Sequence, residues 1–376
     1  MPQPSFSRTS FTRIIESLPA TVPFVAPEAL ERRTGRPIRL RLGANESAFG
    51  ASARAQQAMI TSASRIGWYA DPEGFELRRE IATQKGVGTE NVVLGSGIDD
   101  LLGTIVRIFL EPGTAAVTSL GAYPTFNYHV AGYGGALHTV AYKDDRNDLP
   151  ALAAAVREKN ARILFLANPD NPTGSWYKAE QLRNWLAELP DGCVLILDEA
   201  YLDFAPPAEV LPADVADARL IRVRTFSKAH GLAGARIGYA IGCAETIAAF
   251  EKVRLHFGVN RFAQAGALES LRDTEFLQSV IAAVEAGRQD YHRLGQELGL
   301  ATLPSFGNFV TFDLGSAAAA KALVNSLLER GVFVRSPQAS PLDRLVRVTV
   351  GTPAERVQFG AIMHELAREG RAAGTN

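Results

Sequence analysis

Lys228 lies in the stretch Arg222-Val-Arg-Thr-Phe-Ser-Lys-Ala-His-Gly-Leu-Ala-Gly-Ala-Arg-Ile-Gly-Tyr239, where the neighbouring residue types suit amine chemistry. A lysine held in a partly desolvated pocket has a lowered pKa and becomes a nucleophile toward an aldehyde. Ser227 adds a hydroxyl, and Arg236, eight residues beyond the lysine, offers a planar fork of donors for a phosphate or carboxylate. Gly231, Gly234 and Gly238 allow the backbone to pass close to something bulky. The competing reading is a surface Ser-Lys turn beside an ordinary arginine, and this stretch by itself does not separate the two.

Such a lysine has to be positioned, and the run at 220–225 is apolar and β-branched enough to be a buried strand. It delivers Ser227 and Lys228 to its end, where α/β sheets hold their ligands. Four other predicted strands end in residues that bear on the same question. The run beginning at Asn91 passes into Gly95-Ser-Gly-Ile-Asp99 and a helix over 98–110, a junction that aims backbone N–H groups and a helix dipole at one spot. It is not a dinucleotide fingerprint, because the third glycine is missing, and the chain has no P-loop. The strand over 115–120 exits at Tyr123-Pro124, where the aromatic either stacks on a planar ring or simply packs. The strand over 162–168 ends in Asn168-Pro-Asp-Asn-Pro-Thr-Gly174, a turn dense in backbone-fixing residues. The strand over 193–197 ends at Asp198-Glu-Ala-Tyr201, and a carboxylate there calls for a cationic partner.

The 376 residues, 47% of them apolar, suffice for two or three packed lobes. Lys plus Arg at 39 against Asp plus Glu at 40 leaves no electrostatic footprint for nucleic acid or an anionic membrane. Cys193 and Cys243 sit far apart in apolar surroundings, the usage of a reducing compartment, so a cytoplasmic location is favoured. No export signal or membrane-length apolar run is present, and the histidines show no metal-ligand spacing, so no metal is expected. Residues 1–45 read as an arm, with a helix over 11–18 and punctuation by Pro19, Pro23 and Pro27, lying along another surface or subunit. Residues 46–272 read as a large α/β domain, a mostly parallel sheet sandwiched by helices, with its last helices over 245–257 and 260–272. Residues 273–376 read as a smaller α+β domain: a long linking helix over 275–298, strands over 309–314, 332–335 and 345–350, and helices over 316–330 and 353–368.

Taken together, Asn45-Glu-Ser, Tyr69-Ala-Asp-Pro, Gly95-Ser-Gly-Ile-Asp, Asn168-Pro-Asp-Asn-Pro-Thr-Gly, Asp198-Glu-Ala-Tyr, Thr225-Phe-Ser-Lys and Arg347-Val-Thr-Val-Gly-Thr resemble the class I/II, fold-type I pyridoxal-phosphate aminotransferases. Within them the chain is similar to the histidinol-phosphate aminotransferase branch, from about residue 38 onward. The resemblance implies pyridoxal 5'-phosphate bound through Lys228, which also moves the substrate proton. It implies Asp198 at the pyridinium nitrogen, Asn171 and Tyr201 at the phenolic oxygen, and Tyr123 on the ring face. The phosphate is expected on the backbone N–H groups of Ile98 and Asp99, with Ser227 and Arg236 closing around it. Tyr69 is expected to reach that phosphate from the neighbouring subunit of a homodimer with shared active sites. Arg347 matches the arginine that clamps a substrate carboxylate, and Asn45 is also expected at the substrate. Arg335 either meets a second anion or faces solvent.

The partners implied are an amino acid or histidinol phosphate and a 2-oxo acid, with 2-oxoglutarate as the expected acceptor. Three departures stand out: His230 where the branch carries an aromatic, His256-Phe-Gly-Val-Asn260 in place of a Tyr-Pro-Leu-Ser-like stretch, and Phe24 where a phosphate-associated tyrosine is usual. They are expected to touch substrate choice, extending or moving it toward aromatic or other apolar amino acids. A decarboxylase or lyase on the same fold is the alternative, since fold does not fix reaction. A cofactor-binding regulator would need a basic DNA-reading module, which neither end carries.

Overall fold

A computed structural model of the chain describes residues 11–20 and 25–370. Its strands, in chain order, are β1 (Leu40–Arg41), β2 (Val92–Gly95), β3 (Ala115–Ser119), β4 (Ala136–Val140), β5 (Ile163–Ala167), β6 (Val194–Asp198), β7 (Leu220–Thr225), β8 (Gly238–Ile241), β9 (Ala301–Leu303), β10 (Phe309–Asp313), β11 (Val332–Phe333) and β12 (Leu345–Thr349). Among the described residues, seven form one sheet in the order β2-β8-β7-β6-β5-β3-β4. Only β8 runs against its neighbours β2 and β7; the β7-β6-β5-β3-β4 pairings are parallel.

Parallel strands need cover on both faces, and this explains why β5, β6 and β7 are buried along their whole length. Helix Ile98–Phe109 fills one face with Leu101, Leu102, Ile105 and Val106 against Phe165, Ile196 and Val223. Leu149, Leu152 and Val156 of helix Leu149–Lys159, with Leu182 and Trp185 of helix Ala179–Leu186, cover the other. The register sets Ala167 beside Asp198 and Asp198 beside Val223. The carboxyl ends of β5, β6 and β7 therefore form one edge, with Lys228 three residues past the end of β7.

A second, antiparallel sheet, β9-β10-β12, faces Thr311 to Arg347 and Phe309 to Thr349. Phe309, Phe312, Tyr291 and Phe359 are central to its core, beneath helices Thr274–Leu298, Ala317–Glu329 and Pro353–Arg368. These helices start where side chains can cap them: Asp273, Ser316, and Thr352 with Glu355 in a capping box. The end of the arm joins this half, since β1 pairs in parallel with β11.

The strand expected over 220–225 and the helix expected over 353–368 have the observed bounds. The helix expected over 245–257 is Ala244–Phe250 instead. Leu255 and Phe257, which extended its apolar pattern, face solvent, and Arg254 turns the chain by donating to the Pro72 carbonyl at 2.9 Å. Strands β1, β4, β8 and β9 are absent from the sequence reading; β8, four buried residues directly after the glycine-rich turn, is too short to stand out. β4 is a sheet edge and only half-buried, β1 is two residues long, and β9 is three, so none carries a clean periodic signal. Among the described residues, no helix is long and apolar enough to cross a membrane.

Candidate active site

Lys228 is half-buried at the strand-end edge, its Nζ 3.4 Å from the Ala44 carbonyl and 5.6 Å from the centre of the Tyr201 ring. Burial, and then the positive charge of Arg347, push its amine down to about 8. That brings the free amine within reach near neutral pH. Asp198 is buried and accepts a hydrogen bond from the Ala200 N–H at 2.9 Å. Burial raises its carboxyl to about 7 against the pull of that bond. Among the described residues it forms no ion pair, while its neighbour Glu199 pairs with Arg222 at 2.5 Å. A protonated ring nitrogen would provide the missing charge.

The glycine turn and the arginine beyond β7 meet as the sequence suggested. Gly97 takes φ +89°, no side chain caps the helix that begins at Ile98, and a Cβ on Gly97 would lie 2.4 Å from Arg236 Nη2. Arg236 itself adopts φ 59°, reaching Ser96 O at 3.4 Å and standing 3.7 Å from Asp99. Ser227 is held from the other side, accepting from Thr225 Oγ1 at 2.9 Å. An uncapped helix start, a hydroxyl and a half-exposed guanidinium around a glycine form a cradle that fits a phosphate ester. Tyr123 borders it, donating to Asp99 Oδ1 at 3.1 Å, and burial pushes its phenol up.

Asn171 stands on the Asn168–Gly174 turn, which buried Asp170 fixes by accepting from Tyr142 Oη at 2.9 Å, Asn147 Nδ2 at 3.1 Å and Thr173 Oγ1 at 2.7 Å. The Asn171 side-chain oxygen accepts from Arg347 Nη1, while Arg347 Nη2 donates to Gly43 O at 2.7 Å. Arg347 Nε is buried without a partner, and the guanidinium lies 5.5 Å over the Phe309 ring. Arg335 and Arg347 exchange backbone hydrogen bonds at 3.3 and 2.7 Å, which brings two guanidinium-bearing residues side by side. Arg335 Nη2 also donates to Val25 O at 3.2 Å.

Family profile, curated relatives and solved structures agree on what this arrangement belongs to. The profile described as aminotransferase class I and II matches residues 37–360. The chain belongs to that family. It is 37% identical over 333 residues to histidinol-phosphate aminotransferase 2 of Pseudomonas fluorescens, covering 88% of this chain and 89% of that one. It is 35% identical to histidinol-phosphate aminotransferase 1 of Bacillus cereus over 94% of this chain and 95% of that one. Histidinol-phosphate aminotransferase from Sinorhizobium meliloti, solved in complex with pyridoxal-5'-phosphate, superposes with a TM-score of 0.93 at 45% identity, covering 96% of this chain and 99% of that one. The protein is accordingly a fold-type I, pyridoxal-phosphate-dependent aminotransferase.

Several expected residues stand apart from this cluster. Tyr69 is 79% exposed, its ring 4.7 Å from that of Phe257, and does not join the cradle of its own chain. Asn45, expected at the substrate, is 1% exposed, and its carboxamide is engaged by Tyr201 and Thr349. His230 turns inward instead of toward substrate: it is buried, 2.8 Å from Ser270 Oγ, with its ring against Phe226. Phe24 lies outside the described residues. Sequence reading missed Thr349 and Asn308, and it missed the buried pairs Arg222–Glu199 and Arg224–Asp203. Arginines alternating within an otherwise apolar strand, with acids just after the adjacent one, were the available signal for the pairs. Thr349 lies in the quoted Arg347-Val-Thr stretch without a role assigned to it, and nothing local marked Asn308.

Proposed function

We propose that the protein transfers an amino group from histidinol phosphate to 2-oxoglutarate in a homodimer. The observation that supports this most is the side-by-side pair Arg335 and Arg347, of which Arg347 acts electrostatically on Lys228, since both reactants carry at least one anionic group beyond the reacting carbon. The names of the relatives point the same way. Bound pyridoxal phosphate supplies the electron sink. Ile98 and Asp99 N–H groups, Ser227 and Arg236 hold its phosphate, Tyr123 covers the ring, Asn171 and Tyr201 face the phenolic oxygen, and Asp198 faces the ring nitrogen. Lys228 Nζ takes the proton from the α-carbon of the donor, and in the second half-reaction it returns one to the former keto carbon. Arg347 orients the acceptor's α-carboxylate, and Arg335 receives the second anion, phosphate or distal carboxylate.

A donor screen with 2-oxoglutarate tests this reading. Histidinol phosphate should surpass phenylalanine and other unphosphorylated amino acids in kcat/KM, and Arg335→Ala should narrow the gap. A preference for aromatic donors that Phe24→Tyr reverses would move the assignment to an aromatic aminotransferase; release of CO2 without keto-acid consumption would move it to a decarboxylase.

The dimer is supported by the apolar side chains left in solvent near Tyr69: Ile66 at 68%, Trp68 at 71%, Leu255 at 72% and Phe257 at 55% exposure. If Tyr69 serves the partner's phosphate cradle, inactive Tyr69→Ala and Lys228→Ala chains should regain activity when mixed. One site of each heterodimer then has both residues intact. Failure of such mixtures to gain activity while subunits exchange would remove the shared site.

A further inference from the structure

Asn45 makes hydrogen bonds through its backbone N–H, its carbonyl and both ends of its carboxamide. It adopts a left-handed conformation, φ 55°, uncommon for a residue with a Cβ. Its backbone N–H donates to Thr349 Oγ1 at 3.0 Å, and the same hydroxyl donates back to Asn45 Oδ1 at 3.0 Å. Its carbonyl accepts from Asn308 Nδ2 at 3.1 Å. With Oδ1 claimed by Thr349, the orientation of the carboxamide is fixed, and its Nδ2 donates to Tyr201 Oη at 2.8 Å. Asn45, Thr349, Asn308 and Tyr201 are all buried, so each bond is costly to lose.

This wiring dictates what Tyr201 can do. Its oxygen already accepts one hydrogen, so the phenol's own proton is available for an acceptor on the pocket side. Burial keeps the phenol neutral, pushed up to about 12. Thr349 also lies two residues after Arg347 on β12, so both side chains leave the same face of one strand. The strand that carries the substrate-carboxylate arginine thus also carries the hydroxyl that sets Asn45.

We propose that Asn45, locked by Thr349 and Asn308, is a positioning residue that fixes the Tyr201 hydroxyl as a hydrogen-bond donor toward the cofactor's phenolic oxygen, and that β12 thereby ties this contact to the substrate-carboxylate site. The inference rests on the placement of Tyr201 given under the proposed function. A donor at that oxygen stabilises its anionic form, and the hydrogen bond that Asn45 donates to the tyrosine oxygen polarises the tyrosine O–H and strengthens its own donation.

The test is a pH titration of the bound cofactor's visible absorption in the holoenzyme, for wild type, Asn45→Gly, Thr349→Val and Thr349→Ser. Glycine accepts the φ of Asn45 without strain, so Asn45→Gly removes the carboxamide and keeps the backbone path. Asn45→Gly and Thr349→Val should both move the absorption midpoint upward by about half a pH unit or more, roughly a threefold change in the proton dissociation constant. Thr349→Ser, which keeps the hydroxyl, should titrate like wild type. Cofactor affinity, measured by fluorescence quenching on titrating the apoprotein, should change much less, because the phosphate cradle is untouched. If Asn45→Gly binds cofactor and its midpoint equals that of wild type, the positioning role is overturned, whether or not Thr349→Val folds. If Tyr201→Phe leaves the wild-type midpoint in place, it is the placement of Tyr201 at the phenolic oxygen that fails.

Discussion

The two sides of the site are built differently. On the cofactor side, Asp198, Ser227 and Lys228 sit at or just beyond the ends of adjacent parallel strands, and the start of helix Ile98–Phe109 follows β2 in the same sheet. Strand register alone brings them to one edge. On the proposed substrate side, Arg347 comes from β12 and Arg335 from just beyond β11, and packing between the two sheets sets Arg347 against Asn171 of the large-sheet turn and Gly43 at the end of the arm. Chemistry is thus encoded in short segments on a rigid frame, and recognition in contacts between segments distant in sequence. Substitutions on the first side should act on turnover, and those on the second on substrate discrimination.

The strongest attempt to break this division is Lys228→Ala. Turnover should fall by at least about 10² to 10⁴-fold, the range for a lost acid–base group, while the phosphate cradle still retains cofactor. Borohydride reduction of wild type followed by peptide mapping should label Lys228; a label on another lysine would displace the whole site. Arginine offers no rescue, since it does not release its proton near neutral pH. Asp198→Ala comes next, with kcat expected to drop by about 10² to 10³-fold and cofactor affinity far less affected. Near-normal turnover in that variant would require a different ring orientation.

Across the division, Arg347→Lys should lower kcat/KM for the keto acid by roughly ten- to a hundredfold, the cost of one charged hydrogen bond. The loss should lie mainly in KM; a loss confined to kcat would place Arg347 with the chemistry instead.

Proton linkage sharpens the contrast through stability. Asp198 has a folded value raised to about 7 from an ordinary 3.8, so its favourable contribution is complete below the lower value and lost as pH rises through the upper one. The neutral isostere Asp198→Asn should therefore raise the Tm of the apoprotein more at pH 8 than at pH 4. An equal gain at both would mean that the carboxylate is not held in a desolvated site. Lys228 has the opposite sign, with a folded value depressed to about 8 from 10.5, so its contribution is present above the higher value and lost as pH falls through the lower. Acylation of Lys228 in the apoprotein should accordingly rise with a midpoint near pH 8, read by mass spectrometry of the labelled peptide.

The smallest effect concerns the seam between the two halves. Arg344 binds Asp145 through both carboxylate oxygens at 2.7 and 2.8 Å and also reaches Asp313 at 2.9 Å. Asp144 and Asp145 both take positive φ, 50° and 56°, in the turn that presents that carboxylate. Asp145→Asn should cost about 1 kcal/mol or less by denaturant titration, because the pair is only partly shielded from water. If it also raised KM for the keto acid while leaving kcat unchanged, the seam would contribute to substrate placement.

The sequence by itself determined the strands that end at Ser227-Lys228 and Asp198, the glycine turn before helix Ile98–Phe109 and the long helices of the second half. Each of these is specified by local patterns: short, β-branched runs of strand length bounded by turn residues, glycines that permit a positive φ, and side chains that cap helix starts. What the sequence could not decide was the fate of polar groups whose partners lie tens to hundreds of residues away. Asn45 looked like a substrate residue, yet in the fold its carboxamide joins Tyr201 and Thr349. His230 looked like a change at the substrate, yet the turn after Lys228 directs it inward to Ser270. Arg222 and Glu199, unremarked in the sequence, form a buried ion pair beside Asp198. A polar side chain commits to whichever complementary group tertiary packing brings within about 3 Å, and that proximity is a property of the assembled sheets.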